Sequence, residues 1–154
     1  MLKSLQTKIP PPVVALLVAT AMWGIANATV DTGAPALLRL PLAGFLTAVG
    51  ALFDLSALLA FHRARTTINP MKPGATTTIV QSGVYRVTRN PMYVGLVCFL
   101  CAWAAYLWSG WAVLGPVAFV AYITAFQILP EERMLEQLFG AEYRDYKEKV
   151  RRWL

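Results

Sequence analysis

Apolar and polar positions fall in long blocks rather than in a short period. Four apolar blocks, about Val13–Val30, Leu42–Phe61, Pro91–Trp108 and Trp111–Leu129, are each near the roughly 18–25 residues that a helix needs to cross a bilayer. They predict four membrane helices. Ser109-Gly110 is too short a link for anything but an antiparallel hairpin of the third and fourth. Pro10, Pro11 and Pro12 suit a helix start, where first-turn donors have no partner. Pro41 closes the connector before the second helix, and Pro130 opens a last segment. Gly24 with Ala28, and Gly44 with Ala48, give small faces for close helix contact.

Beyond Pro130 the pattern becomes amphipathic. Met134, Leu135, Leu138 and Phe139 form one stripe, and Gly140 breaks it. Tyr143, Tyr146, Val150 and Trp153 form a second. Two short amphipathic helices on the membrane surface are expected. The fold class is therefore an all-α integral membrane protein, with residues 1–154 as a single domain. Residues 62–90 form a polar connector and residues 130–154 a polar C-terminal segment.

Composition agrees. The chain is 57% hydrophobic and 14% charged, against about 25% charged for a soluble domain. The net charge of +6 does not point to nucleic acid, because the basic residues flank the apolar blocks. Lysine and arginine number two in the N-terminal lead, five in the 62–90 connector and six in the C-terminal segment. The connector before the second helix has one and the hairpin turn none. The positive-inside rule then puts both termini and the long connector in the cytoplasm, so the two polar segments meet on one face.

Chemistry concentrates there. Gly83–Gly95 joins arginines, turn formers, Tyr85 and Tyr93 just where the chain enters the third helix. The other segment offers Glu131, Glu132 and more tyrosines. Such a pair suits a cofactor with both an anionic and a cationic group. Arginine or backbone donors would take a carboxylate. Glutamate would take an ammonium or ribose hydroxyls, and a tyrosine face a sulfonium. The bland alternatives are interfacial tyrosines and helix-start acids. Asp54 lies inside the second helix, where an acid costs roughly 2.5–3.5 kcal/mol at mid-bilayer, so it should face the bundle or sit nearer the interface. It is a candidate substrate contact or a structural acid. Cys98 and Cys101 read as small buried side chains, not a metal or redox pair. There is no phosphate-cradling glycine loop, no nucleophile elbow, and one histidine only.

The stretches Thr67-Ile68-Asn69-Pro70, Thr77 to Val80, Ser82-Gly83-Val84-Tyr85, Arg89-Asn90-Pro91-Met92-Tyr93-Val94-Gly95, Glu131-Glu132, Phe139-Gly140, Glu142-Tyr143 and Tyr146 occur in a definite order. In that order the chain, from about Thr66 to Leu154, resembles the isoprenylcysteine carboxyl methyltransferases and related membrane phospholipid methyltransferases. The resemblance implies S-adenosylmethionine as methyl donor and a lipophilic or lipidated substrate in the bilayer, with no metal. It implies cofactor contacts from Thr77, Thr78, Ile79, Val80, Tyr85, Asn90, Pro91, Met92, Tyr93 and Glu131. Asn90 stands where many members have histidine. Gln127 stands where the isoprenylcysteine enzymes carry an arginine facing the substrate carboxylate, and it has no charge for that task. Gln127 and Asp54 are the candidate substrate contacts, and Arg89 and Glu132 the candidate catalytic residues. A proton acceptor, where one is needed, would have to be Glu132, Asp54 or Tyr143. Two alternatives remain: a sterol-type reductase using NADPH, and a non-catalytic membrane scaffold with a degenerate site.

Overall fold

The computed structural model describes residues 9–29, 35–64 and 79–154. These are built from six α-helices, α1 (Pro11–Ala28), α2 (Ala36–Ala64), α3 (Pro91–Leu107), α4 (Leu114–Ile123), α5 (Leu129–Phe139) and α6 (Ala141–Lys149). Short 3-10 turns occur at Gly83–Arg86 and Gly110–Val113, and a π-turn at Thr124–Ile128. No strand occurs among the described residues; one isolated bridge joins Thr88 to Arg151.

Three stretches are long and apolar enough to cross a membrane: Pro11–Ala28, Ala36–Ala64 and Gly110–Phe139. The fourth expected span, α3, is apolar but 17 residues long. α1 begins two residues before the expected start, because Pro11 occupies the first helical position, where no N–H is needed. α2 is longer than expected at both ends. Pro41 does not close a connector but lies in its second turn, where it withholds a single bond to the Leu37 carbonyl.

Pro130 is likewise not a boundary. Helix runs through it from α4 to α5 by way of the π-turn. A proline inside an α-helix has no N–H to give and collides with the carbonyl four residues earlier, here Phe126. The wider turn Thr124–Ile128 sits just where that collision would fall. The break comes at Gly140, with φ +55° and ψ −119°, a conformation open to glycine.

α3 is the centre of the bundle, with α2 on one side and α1 and α4 on the other. Val14, Met22, Leu100, Phe119, Ile123 and Ile128 form the main core between α1, α3 and the α4 run. The glycines that matter are not those of the small-residue pattern. Among the described residues, nothing lies within 4 Å of a would-be Cβ on Gly24 or Gly44. The tight crossing of α2 and α3 is at Gly50 and Gly95, where a Cβ on Gly50 would lie 3.0 Å from the Gly95 carbonyl. A Cβ on Gly95 would collide with Asp54 Oδ1. Gly115 takes the Met22 side chain in the same way. Large apolar side chains such as Leu16, Leu37, Phe45, Leu52 and Val117 point outward, as lipid contact requires.

The C-terminal tyrosine stripe does not present itself to lipid. Tyr143, Tyr146 and Val150 are buried against Ile79, Leu135 and Phe139. α6 ends at Lys149, so Trp153 leaves the stripe and packs on the main core.

Candidate active site

One wall is the stretch that leads into α3. Gly83 adopts φ +61°, which starts the 3-10 turn Gly83–Arg86. The turn buries Tyr85 with its ring edge-on to Phe61 of α2, centroids 5.4 Å apart. Burial pushes the Tyr85 phenol upward, and Tyr146, Glu131 and Asp54 add to that through their charges. The Tyr85 carbonyl accepts the Tyr146 hydroxyl at 2.7 Å. Pro91 is the first residue of α3, and Tyr93 falls in its first turn facing α5.

The opposite wall is the π-turn and the start of α5. Gln127 lies in the π-turn and Glu131 four residues on, so both side chains share a face. Gln127 Nε2 donates to Glu131 Oε1 at 2.7 Å. The Tyr93 hydroxyl reaches both carboxylate oxygens, at 2.9 and 3.1 Å. Glu131 is thus held by neutral donors, and it forms no ion pair among the described residues.

Glu132 points elsewhere and has the reverse surroundings. Arg89 Nη2 binds its Oε1 at 2.8 Å, and Arg152 binds Oε2 at 2.7 Å and Oε1 at 3.0 Å. Glu132 is 5% exposed. Arg89 also donates Nη1 to the Lys147 carbonyl at 3.1 Å, while its buried Nε has no partner among the described residues. Bonding to Glu132 holds the Arg152 guanidinium above its ordinary range.

The C-terminal tail closes the assembly. The Arg89 N–H donates to the Arg151 carbonyl at 2.9 Å. Thr88 Oγ1 and Asn90 Nδ2 both donate to the Arg152 carbonyl, at 3.1 and 3.0 Å. Trp153 Nε1 donates to Thr124 Oγ1 in the π-turn at 3.3 Å. The tail therefore ties the entrance of α3 to the π-turn that carries Gln127.

The sequence-derived candidates divide accordingly. Tyr93, Gln127 and Glu131 form one hydrogen-bonded group. Val80, Tyr85 and Met92 pack together on Ala57 and Ala60 of α2, and Ile79 joins the tyrosine cluster below. Pro91 is buried at the helix start. Asn90 is next to Tyr93's turn but spends its amide on the tail. Arg89 and Glu132 bind each other, apart from the Glu131 group. Asp54 sits one level deeper, against Gly95. Thr77, Thr78 and the Thr67–Pro70 stretch lie outside the described residues. Thr88, Arg152 and Trp153 were missed. Their only sequence signal is a basic-aromatic end, which does not tell where a tail folds back. Among the described residues no three His, Cys, Asp or Glu come together as a metal site would need, and Cys98 and Cys101 are free thiols.

A protein of Haemophilus influenzae, described as an uncharacterized protein, is 51% identical over 63 residues, covering 41% of this chain and 100% of that one. No solved structure matches. The family model of the phospholipid methyltransferases matches residues 38–142, which take in all but the first two residues of α2, both walls of the site and the start of α6. That match spans more than half of the chain, and the protein belongs to the phospholipid methyltransferase family.

Proposed function

We propose that the protein is an S-adenosylmethionine-dependent methyltransferase acting on a lipophilic substrate that enters from the bilayer. The observation that carries this reading is Glu131. It is a carboxylate in the C-terminal third of a membrane-length helical run, held by a phenol and an amide and, among the described residues, by no cation. Such a group is prepared for an incoming cation or for hydroxyls, and the Tyr93 ring beside it suits a positive centre. Both are features of S-adenosylmethionine, which supplies an electrophilic methyl group when bound.

The chain's own residues then bind and align. Glu131 and Tyr93 hold the donor, with Tyr85 and Val80 lining its cytoplasmic side. α2 and α3 guide the acceptor toward it, and the apolar helices keep water out. Positioning alone can supply much of the rate of a displacement. Gln127 is 3% exposed and committed to Glu131, so it offers nothing to a substrate carboxylate. That supports an acceptor other than an isoprenylcysteine carboxyl. The lysine and arginine distribution supports a site on the cytoplasmic face, with both termini on the same side.

The test is binding of labelled S-adenosylmethionine and of NADPH to the purified protein, followed by label transfer to a total membrane-lipid extract. Saturable binding of the first and a methylated lipid product are expected. Binding of NADPH alone would move the reading to a reductase. Binding of neither at millimolar concentration would leave a non-catalytic scaffold.

A further inference from the structure

We propose that Asp54 accepts the proton released during methyl transfer, so that the natural acceptor is a lipophilic nucleophile that bears a proton, such as an amine, thiol or phenol. The inference rests on the methyltransferase reading above and deepens it. It begins from elimination. A direct displacement on an N–H, S–H or O–H acceptor needs a proton acceptor; the Glu131 oxygens already accept from Tyr93 and Gln127 and are assigned to the donor, which leaves three residues to weigh. Glu132 is closed off, since both of its oxygens are held by arginines and it is buried. Tyr143 is closed off too. It is 3% exposed, and burial pushes its phenol upward, with the charge of Glu132 adding to this. A protonated phenol is a donor and not a base.

Asp54 alone keeps a free acceptor. Its Oδ1 is shielded from solvent and has no hydrogen-bond partner among the described residues. The residue as a whole remains partly exposed. Its place in the fold is also specific. The carboxylate occupies the volume that a side chain at position 95 would fill, so Gly95 gives it room at the crossing of α2 and α3. Gly95 faces α2, on the side of α3 away from Tyr93 and Glu131; what joins Asp54 to the site is α2, where it lies one turn before Ala57, on which Val80, Tyr85 and Met92 pack. The titratable groups that feel its charge are Tyr85 from the 3-10 turn and Cys98 from α3. No cation pairs with Asp54 among the described residues. A buried acid bound only to hold a helix pair would be expected to satisfy its oxygens.

The step balances without a further reactant. The lone pair of the acceptor forms a bond to the methyl carbon. The sulfur–methyl bond breaks, and its electrons stay on sulfur, which becomes a neutral thioether. The acceptor proton passes to Asp54 Oδ1. A carboxylate acceptor would need no such residue.

The test uses the full chain in lipid nanodiscs with labelled S-adenosylmethionine and a total membrane-lipid extract. Asp54→Asn should bind the donor within about twofold of the parent and lose transfer by about 10²-fold or more, the usual contribution of a positioned acid or base. Asp54→Ala should behave alike and recover part of its rate with added formate, which a merely structural role would not produce. Transfer by Asp54→Asn at more than half the parental rate would overturn the proposal. So would loss of donor binding or of the folded species in both variants, since Asp54 would then be structural. A methyl ester as the parental product would overturn it as well. A parent protein that fails to bind the donor at all would sink the methyltransferase reading itself and this inference with it, and is told apart by needing no variant.

Discussion

Glu131 and Glu132 are adjacent and acidic, the first partly buried and the second fully, and their surroundings differ in sign. Glu131 faces a phenol and an amide, and Glu132 faces two guanidiniums. The consequences of removing each charge should separate. Glu131→Gln and Tyr93→Ala should each weaken S-adenosylmethionine binding by tenfold or more in a direct binding titration; Glu131→Gln should leave thermal unfolding nearly unchanged, whereas Tyr93→Ala, which empties a buried core position, should also lower the unfolding midpoint. Unaltered affinity in both would refute the placement of the donor. Glu132→Ala leaves Arg89 buried without its anion, and breaking such a pair costs about 3–5 kcal/mol. A lower unfolding midpoint should therefore be its first symptom. Both acids were legible in the sequence as members of a site. Their division of labour was not, because the cations that fix Glu132 come from afar in the chain, Arg89 from before α3 and Arg152 from a folded-back tail 20 residues on.

At the scale of elements, apolar block length located the hydrophobic helices but not all of their ends, since crossing lipid depends on length and composition: α2 begins six residues before its block, and the fourth run continues past Leu129 to Phe139. What it misjudged were the prolines and glycines. Pro41 and Pro130 are tolerated inside helices, one near a helix start and one beside a π-turn. A small-residue pattern marks where helices could approach, but the choice of partner is a tertiary matter. So Gly50 and Gly95, and not Gly24 or Gly44, make the close crossing. Gly95→Val should drive α2 from α3, because its side chain would meet both Asp54 and the Gly50 carbonyl. Overpacking of this kind costs typically about 1–3 kcal/mol. The expected outcome is a lower unfolding midpoint, measured beside Gly44→Val, which has none of the described residues within 4 Å and should be close to neutral.

At the scale of the whole molecule, the two polar segments meet, as expected from the charge distribution, but the sequence could not say through what. The contact runs through the tail. Val150 packs below Tyr143 and Tyr146, the Arg151 and Arg152 carbonyls take donors from Thr88, Arg89 and Asn90, and Trp153 reaches Thr124. These bonds span from the entrance of α3, which carries Tyr93, to the π-turn, which carries Gln127. Removing Arg151–Leu154 would strip the partners from three consecutive residues of one wall and one arginine from Glu132. Charge-assisted bonds contribute about 1.5–3 kcal/mol each. The truncated protein should therefore unfold earlier, and its surviving folded fraction should bind S-adenosylmethionine more weakly, because the Tyr93 and Glu131 walls are no longer held in register. Trp153→Phe is the finer probe. It keeps the packing on the main core and removes only the indole N–H bond to Thr124. A shift in donor affinity with little change in unfolding midpoint would identify the tail as a positioning strap. An unchanged affinity would reduce it to an anchor for stability.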